Sequence, residues 1–256
     1  ALDAALVARV LWGRPVLLKW ERDDEHAWEP YGSAMRVEMQ ASLDDDSQII
    51  HWCHDTYSDT HVARPGNQGE HSRLLAAWHL AKPRKAPRPQ PNMAFHGGIH
   101  RNADPIYEFP DTRIVKHMVE GLPLRVSALR SLGGYANIFA LESFMDELAE
   151  ELGRDPLTFR LAHLRNPRAR AVLNAAATAA NWRQAPRKEG HGQGLAFARY
   201  KNQKCLAAVI IDLSVEDDGH IQLLKAVIAA DAGQIVDPRG LRSQLEGGLI
   251  QSASWT

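Results

Sequence analysis

Apolar and polar residues alternate strictly from Met35 to Leu43, with Met35, Val37, Met39, Ala41 and Leu43 on one side and Arg36, Glu38, Gln40 and Ser42 on the other. A period of two predicts a half-buried antiparallel strand. Asp44-Asp45-Asp46 supplies its turn and Ile49 to Tyr57 its returning partner. Upstream, Leu2, Ala5, Leu6, Ala8, Val10 and Leu11 follow a helical period that stops at Gly13. Val16 to Trp20, after Pro15, predicts a strand, and Glu21 to Tyr31 follows as a polar stretch. Turn formers dominate residues 58 to 110, and the prolines between Lys82 and Pro91 predict an extended surface connection.

Order returns with a strand at Thr112 to Val119 and a helix at Asn137 to Leu152, whose stripe Ile138, Leu141, Met145, Leu148 and Leu152 ends at Gly153. Asp155-Pro156 is an N-cap followed by Pro at the first helical position, opening a helix to Leu164, and an alanine-rich helix follows at Arg168 to Ala180. The chain then turns to strands at Gly192 to Tyr200, Cys205 to Val215 and Ile221 to Ala230, the last two joined by an Asp218-Gly219 hairpin turn. A final helix begins near Pro238. Hairpins and helices without regular βαβ alternation predict an α+β fold with antiparallel and mixed sheets.

The 256 residues suffice for one large domain or two modest ones, and 45% apolar with 24% charged residues is a globular composition. A formal net charge of −1 offers no global attraction for nucleic acid, and no apolar run reaches the length of a membrane span. Cys53 and Cys205 are too few for a disulfide framework and lack Cys-x-x-Cys spacing, which rules out a zinc or iron–sulfur site built on this chain's cysteines. Helical patterns run into both ends, at Ala1 and at Leu241 to Thr256, without caps. The expectation is a fragment of a larger parent.

Four arrangements that invite chemistry carry little. His51, Cys53 and His54 invite a metal, but in a strand His54 faces away from the other two. His96 and His100 have the spacing of zinc-binding helices, yet Gly97 and Gly98 between them disfavour a helix. Gly190, Gly192 and Gly194 lack the strand before and helix after that a dinucleotide loop requires. No Gly-x-Ser-x-Gly elbow is present.

Two junctions carry more. Arg130-Ser131-Leu132-Gly133-Gly134-Tyr135 precedes a long helix, so paired glycines, a helix N-terminus and a guanidinium converge where an anion or a polarised oxygen could be held. Gln244, Glu246, Gly247, Gly248 and Gln251 lie in a helical segment, where adjacent glycines cost stability and so point to close approach of a ligand or a backbone. Physics alone leaves each junction equally open to a structural reading.

The run from Arg130 to Ser143 resembles, without a gap, the molybdenum hydroxylase signature Arg-Gly-Phe-Gly-Gly-Pro-Gln and the helix after it. Similar to that family, of xanthine dehydrogenases and aldehyde oxidases, are also Met145 to Ala149, Gly153 to Pro156 with Phe159-Arg160, Asp231 to Pro238, Gln244 to Gln251, and Gly13 to Asp23. The wording is closest to the isoquinoline oxidoreductase and nicotinate dehydrogenase branch. Departures fall at Ser131, where the signature has Gly, at Leu132 for Phe, and at Tyr135-Ala136 for Pro-Gln.

The resemblance implies part of a molybdopterin-binding large subunit that hydroxylates an electron-poor carbon, in an N-heteroaromatic or an aldehyde, with oxygen from water. It implies a molybdenum–molybdopterin cofactor in the cytosine dinucleotide form, and a small partner subunit carrying 2Fe–2S clusters. By match, Arg130 is the catalytic arginine, Leu132 and Tyr135 line the substrate pocket, and Gly133, Gly134, Gln244, Gly247, Gly248 and Gln251 lie at the cofactor, with Glu246 structural and no metal ligand on this chain. Residues 1–185 are expected to form part of a first molybdopterin-binding domain, interrupted by the Pro-rich loop at 82–92, and residues 186–256 the start of a second. The family's general-base glutamate, in a Gly-x-Gly-Glu motif, is expected beyond Thr256, and its Gly-Gly-x-Phe-Gly loop before Ala1; Gly69-Glu70 does not replace the first. The chain alone is therefore expected to be inactive. The alternatives are a non-catalytic binding or scaffold domain of the same fold and an anion-binding module built on Arg130.

Overall fold

A computed structural model describes residues 2–61, 74–84, 88–183 and 188–256. Gly69-Glu70, Pro87 in the Pro-rich run, and the expected domain boundary at 185/186 lie outside the described residues. The chain divides into two compact units, one made of Ala1–Arg36, Thr56–Arg101 and Lys116–Gly133, the other of Val37–Asp55, Asn102–Val115 and Gly134–Thr256.

Helices are α1 (Leu2–Val10), α2 (Arg22–Trp28), α3 (Leu75–Trp78), α4 (Gly134–Glu151), α5 (Pro156–Ala162), α6 (Pro167–Ala180) and α7 (Pro238–Trp255). Strands are β1 (Tyr31–Gly32), β2 (Met35–Leu43), β3 (Ile49–Ser58), β4 (Asp111–Met118), β5 (Val126–Ser127), β6 (His191–Arg199), β7 (Leu206–Val215) and β8 (Ile221–Asp231). They form sheets ordered β1-β5, β2-β3-β4 and β6-β7-β8. The architecture is α+β, with mixed and antiparallel sheets.

The alternation from Met35 to Leu43 becomes β2 with the expected bounds. Its turn is made by the Asp44 carboxylate, whose Oδ1 accepts from the N–H groups of Asp46 (3.0 Å) and Gln48 (2.8 Å). So short a connection to β3 forces antiparallel pairing. β4 runs parallel to β3, since the pairs His51–Asp111 and Asp55–Arg113 climb both strands together. In the third sheet β6 pairs antiparallel with β7 from His191↔Ser214 to Arg199↔Leu206, and β7 with β8 across the Asp218-Gly219 turn, where Gly219 takes φ +85°.

The N-terminal segment departs from expectation. Val16 to Trp20 forms no strand, and Leu17 is 94% exposed. The polar stretch after it contains α2 instead, its start secured by the Asp24 carboxylate accepting from Glu21 N–H at 3.1 Å. Local capping thus outweighs the weak apolar run beside it. α4 begins at Gly134, three residues before the expected Asn137.

The hydrophobic core belongs to the second unit. Asn137, Leu141, Met145 and Ala149 form one buried stripe on α4, each a turn from the next. Leu141, Met145 and Ala149 join a cluster with Trp52, Phe159, Leu173, Phe197 and Ile210. Within that core Arg160 is 0% exposed and Glu142 4%. Arg160 Nε donates to Glu142 Oε2 (2.9 Å), Nη2 to the Glu142 carbonyl (2.9 Å), and Nη1 to Asp146 Oδ1 (2.6 Å) and Pro156 O (3.2 Å). Tyr107 OH (2.8 Å) and Phe197 N–H (2.8 Å) donate to the Glu142 carboxylate as well. Burial alone would pull the guanidinium down, but Glu142, Tyr107 and Asp146 more than offset it and hold it charged. A second buried link is His163, whose Nδ1–H donates to Phe159 O (2.9 Å) while Nε2 accepts from Ile49 N–H (3.0 Å), joining α5 to β3.

The first unit is built differently. Its buried side chains among the described residues are mostly polar, including Thr56, Ser58, Asp59, Thr60, His61, His96 and Arg101, with Ala77 and Ile99 among the few apolar ones. Burial, then the Arg101 charge, lowers His61 to about 4.

Two measurements check this account. Arg160→Met strands the Glu142 carboxylate and is expected to cost about 3–5 kcal/mol in urea unfolding, whereas Glu142→Gln/Arg160→Met together recover most of it. The neutral His163 required by its two hydrogen bonds agrees with a pKa lowered chiefly by burial. A depressed histidine contributes stability above its unfolded pKa of about 6.5 and loses it as pH falls through the folded value. The urea midpoint should therefore drop as pH falls from about 7 to about 5, and His163→Gln should flatten that slope while lowering the midpoint at the upper end.

Candidate functional site

The loop carrying Arg130 starts from β5, which is held by parallel pairing with β1 (Tyr31↔Val126, Gly32↔Ser127). Leu132 N–H closes a turn onto Leu129 O at 3.2 Å. To make it, Ser131 (φ +70°) and Leu132 (φ +51°) both adopt the left-handed conformation, which costs side-chain-bearing residues on the order of 1 kcal/mol or more each. Ser131 is the position where the signature has glycine.

Gly133 follows, and a Cβ there would lie 2.3 Å from Ile99 O and 2.7 Å from Gly98 O. Only glycine allows the two backbones to cross so closely. Its N–H is given to Gly98 O at 3.2 Å. Gly98 repeats the device, with φ +55° and a would-be Cβ 2.5 Å from Thr60 O. Three backbone segments around Thr60, Gly98 and Gly133 are thus stacked with no side chain between them. Arg101 Nε donates to His96 O (2.9 Å), and Lys116 Nζ to Asn92 O (2.7 Å), pinning the middle segment. Sequence reasoning gives Gly97-Gly98 no part in this; the available signal is a second pair of glycines, which a tight backbone crossing needs on both sides.

The second unit holds the other residues. Gly134 and Tyr135 open α4, and the Tyr135 ring meets Trp255 edge to face at 5.4 Å while its hydroxyl bonds Thr256 Oγ1 at 2.9 Å. The start of α4 and the end of α7 are therefore in contact. Asp237 caps α7 by accepting from Arg239 N–H at 3.0 Å, with Pro238 at its first position. No side chain of α7 is buried. Gln244, Gly247, Gly248 and Gln251 are spaced by three, four and seven, so they share one face. A Cβ on Gly247 would meet nothing within 4 Å. Glu246 approaches Arg242 at 3.9 Å along the same helix. Arg130, Leu132 and Gly133 thus lie in one unit, and Gly134, Tyr135, Gln244, Gly247, Gly248 and Gln251 in the other.

Beneath the first turn of α4, His54 Nε2 bonds Asn137 Oδ1 at 3.1 Å, and its buried Nδ1 has no partner among the described residues. Burial lowers its pKa, with the Asn137 bond opposing. His51 and Cys53 face the other way, so the His51, Cys53 and His54 group is split as strand geometry demands. Among the described residues, no three His, Cys, Asp or Glu side chains are arranged to hold a metal ion. Gly192 and Gly194 lie within the β6–β7 ladder, opposite Leu213 and Ile211.

Two protein-family profiles, both described as a molybdopterin cofactor-binding domain, match residues 87–164 and 144–256. A nicotinate dehydrogenase subunit of Pseudomonas putida is 33% identical over 267 residues, covering 98% of this chain and 21% of that protein. The beta subunit of isoquinoline 1-oxidoreductase from Brevundimonas diminuta is 27% identical over 257 residues, covering 99% of this chain and 30% of that protein. The chain thus spans about a fifth to a third of the length of these relatives. The aldehyde oxidoreductase structure from Desulfovibrio gigas aligns over 76% of this chain and 21% of its own, with a TM-score of 0.44 and 19% identity. With its signature loop, its α7 motif and both cofactor-binding profiles in chain order, this chain belongs to the molybdopterin-binding domains of the molybdenum hydroxylase family.

Proposed function

We propose that the chain forms part of the cofactor and substrate walls of a larger catalytic subunit, which hydroxylates an electron-poor carbon of an N-heteroaromatic or an aldehyde with oxygen from water. The observation that carries this reading is the stripe on α7: Gln244 and Gly247 exposed, Gly248 and Gln251 half-buried, and open space above Gly247. Adjacent glycines in mid-helix cost about 1 kcal/mol each relative to alanine, and no packing within the described residues repays that cost at Gly247. A ligand lying against the helix would. The side-chain amides can both donate and accept, which suits the ring edges and phosphates of a pterin dinucleotide, taken here in its cytosine form.

The cofactor, when bound, supplies a two-electron acceptor and a centre that activates water. This chain's residues do the rest of the work assigned to them. Arg130 presents a planar guanidinium that orients the substrate and stabilises negative charge developing on it. By the family match Leu132 and Tyr135 are each assigned to the substrate pocket, and Tyr135 also ties the start of α4 to the end of α7 through Trp255. Gly133 and Gly134 set the path of the loop, Gly133 by permitting the backbone crossing at Ile99.

In this reading residues 1–185 and 186–256 contribute to successive cofactor-binding domains. Electrons leave through 2Fe–2S clusters on a small partner subunit, and turnover requires the remainder of the large subunit, including its general-base glutamate. Both curated relatives are named as subunits, which is consistent with an assembled enzyme. No helix among the described residues is long and apolar enough to cross a membrane.

Two substitutions in the natively assembled protein test the proposal. Gly247→Leu adds a side chain where the structure has room, so the helix should gain about 1 kcal/mol rather than lose stability. Pterin and molybdenum content should nevertheless fall severalfold or more; full cofactor content in this variant would remove the assignment of α7 to the cofactor. Arg130→Ala should lower turnover about 100-fold with metal content intact. Unchanged turnover on every N-heteroaromatic and aldehyde the parent oxidises would take Arg130 out of the reaction.

A further inference from the structure

We propose that His51, Cys53 and Asp111 form a reactive-thiol site, separate from the cofactor surface, in which His51 takes the proton of the Cys53 thiol and the sulfur is oxidised by hydrogen peroxide to a sulfenic acid.

The strand period puts His51 and Cys53 on the same face of β3, and the parallel neighbour β4 sets Asp111 beside His51. His51 Nδ1 lies 2.6 Å from Asp111 Oδ2, and His51 Nε2 lies 3.0 Å from Cys53 Sγ. A carboxylate only accepts, so Asp111 fixes the proton on Nδ1 and leaves the Nε2 lone pair directed at the thiol. Nucleophile, base and orienting carboxylate therefore stand in a line, the relation that activates catalytic cysteines on unrelated folds. Arg113, two residues along β4, pairs with Asp55 at 2.5 and 3.3 Å. The sulfur thus lies beside an imidazole nitrogen placed to take its proton. The group is within reach of a small oxidant, with the His51 side chain 39% and that of Asp111 70% exposed.

Cys205 supplies the contrast. Its Sγ donates to Leu206 O at 3.3 Å, and burial, then the charge of Asp231, pushes its thiol up. These are the surroundings of an inert cysteine.

The step balances without a further reactant. Cys53 sulfur attacks one oxygen of hydrogen peroxide, the S–O bond forms and the O–O bond breaks. The two electrons lost by sulfur go to the departing hydroxide, which takes the proton held by His51 and leaves as water.

The test is limited alkylation of the native protein with iodoacetamide, followed by peptide mapping, with Cys205 as the control in each sample. Cys53 should be labelled about 10-fold faster than Cys205 or more, and His51→Asn should slow Cys53 by a similar factor while Cys205 keeps its rate. Asp111→Asn, which leaves the base in place but frees its orientation, should slow Cys53 by less, and it carries the test if His51→Asn perturbs Cys205. After brief hydrogen peroxide treatment, dimedone should mark Cys53 and spare Cys205. Equal labelling of the two cysteines, or a Cys53 rate unmoved by both substitutions, overturns the site; fast alkylation without a dimedone adduct overturns the peroxide step.

Discussion

The second unit is organised around one carboxylate. Glu142 lies on α4 inside an apolar core, where an unpaired charge would cost several kcal/mol, so its oxygens dictate what may surround them. Arg160 brings α5 to it, Tyr107 brings the segment before β4, and the Phe197 amide brings the middle of β6. Helix pair, loop and sheet are fixed to the same two oxygen atoms. Apolar packing between Met145, Phe159 and Phe197 is compatible with many small slides of helix over sheet; this hydrogen-bond set is compatible with one arrangement. α4 carries Tyr135 in its first turn, two turns before Glu142, so the register set at Glu142 is also the register at which the chain meets Trp255.

The first unit meets its constraint without such a core. Backbone lies directly on backbone at Thr60, Gly98 and Gly133, and polar side chains fill the interior. Such an interior is specified by directional contacts, because most buried donors and acceptors need a partner, the buried hydroxyls of Ser33 and Thr56 being without one among the described residues. It holds a loop in an unfavourable conformation at Ser131 and Leu132, which apolar packing alone, being non-directional, would not do.

Much of the fold is legible in the chain. The alternation in β2, the Asp155-Pro156 and Asp237-Pro238 helix starts and the Asp218-Gly219 turn are local signals, and local chemistry decides them. Less legible is what depends on partners far away in sequence. Arg160 reads as a polar position on a short helix, and nothing in a period of hydrophobicity says that it is fully buried against a residue eighteen positions earlier. Val16 to Trp20 has strand composition and no sheet to join. The residues at the candidate site stand out by resemblance, since Gln244 or Arg130 alone is an ordinary surface side chain. The Gly98 platform under Gly133 is marked in the sequence only by the second glycine pair, because its partners are carbonyl oxygens, which every residue has. Cys53 is hidden in a different way: its neighbours along the strand suggest metal ligands, whereas Asp111 comes from another strand and turns the same histidine into a base.

The contact of Tyr135 with the end of α7 links residues 121 positions apart in the chain. Closing a loop of that length is among the slower events available to a folding chain, because its entropy must be spent before the contact returns anything. In sequence, Trp255 follows α4 to α6 and all three strands of the β6-β7-β8 sheet, whose own contacts span shorter loops. Within this chain, the contact that seats the end of α7 is therefore expected to form after the shorter-range contacts of α4 to α6 and of the β6-β7-β8 sheet.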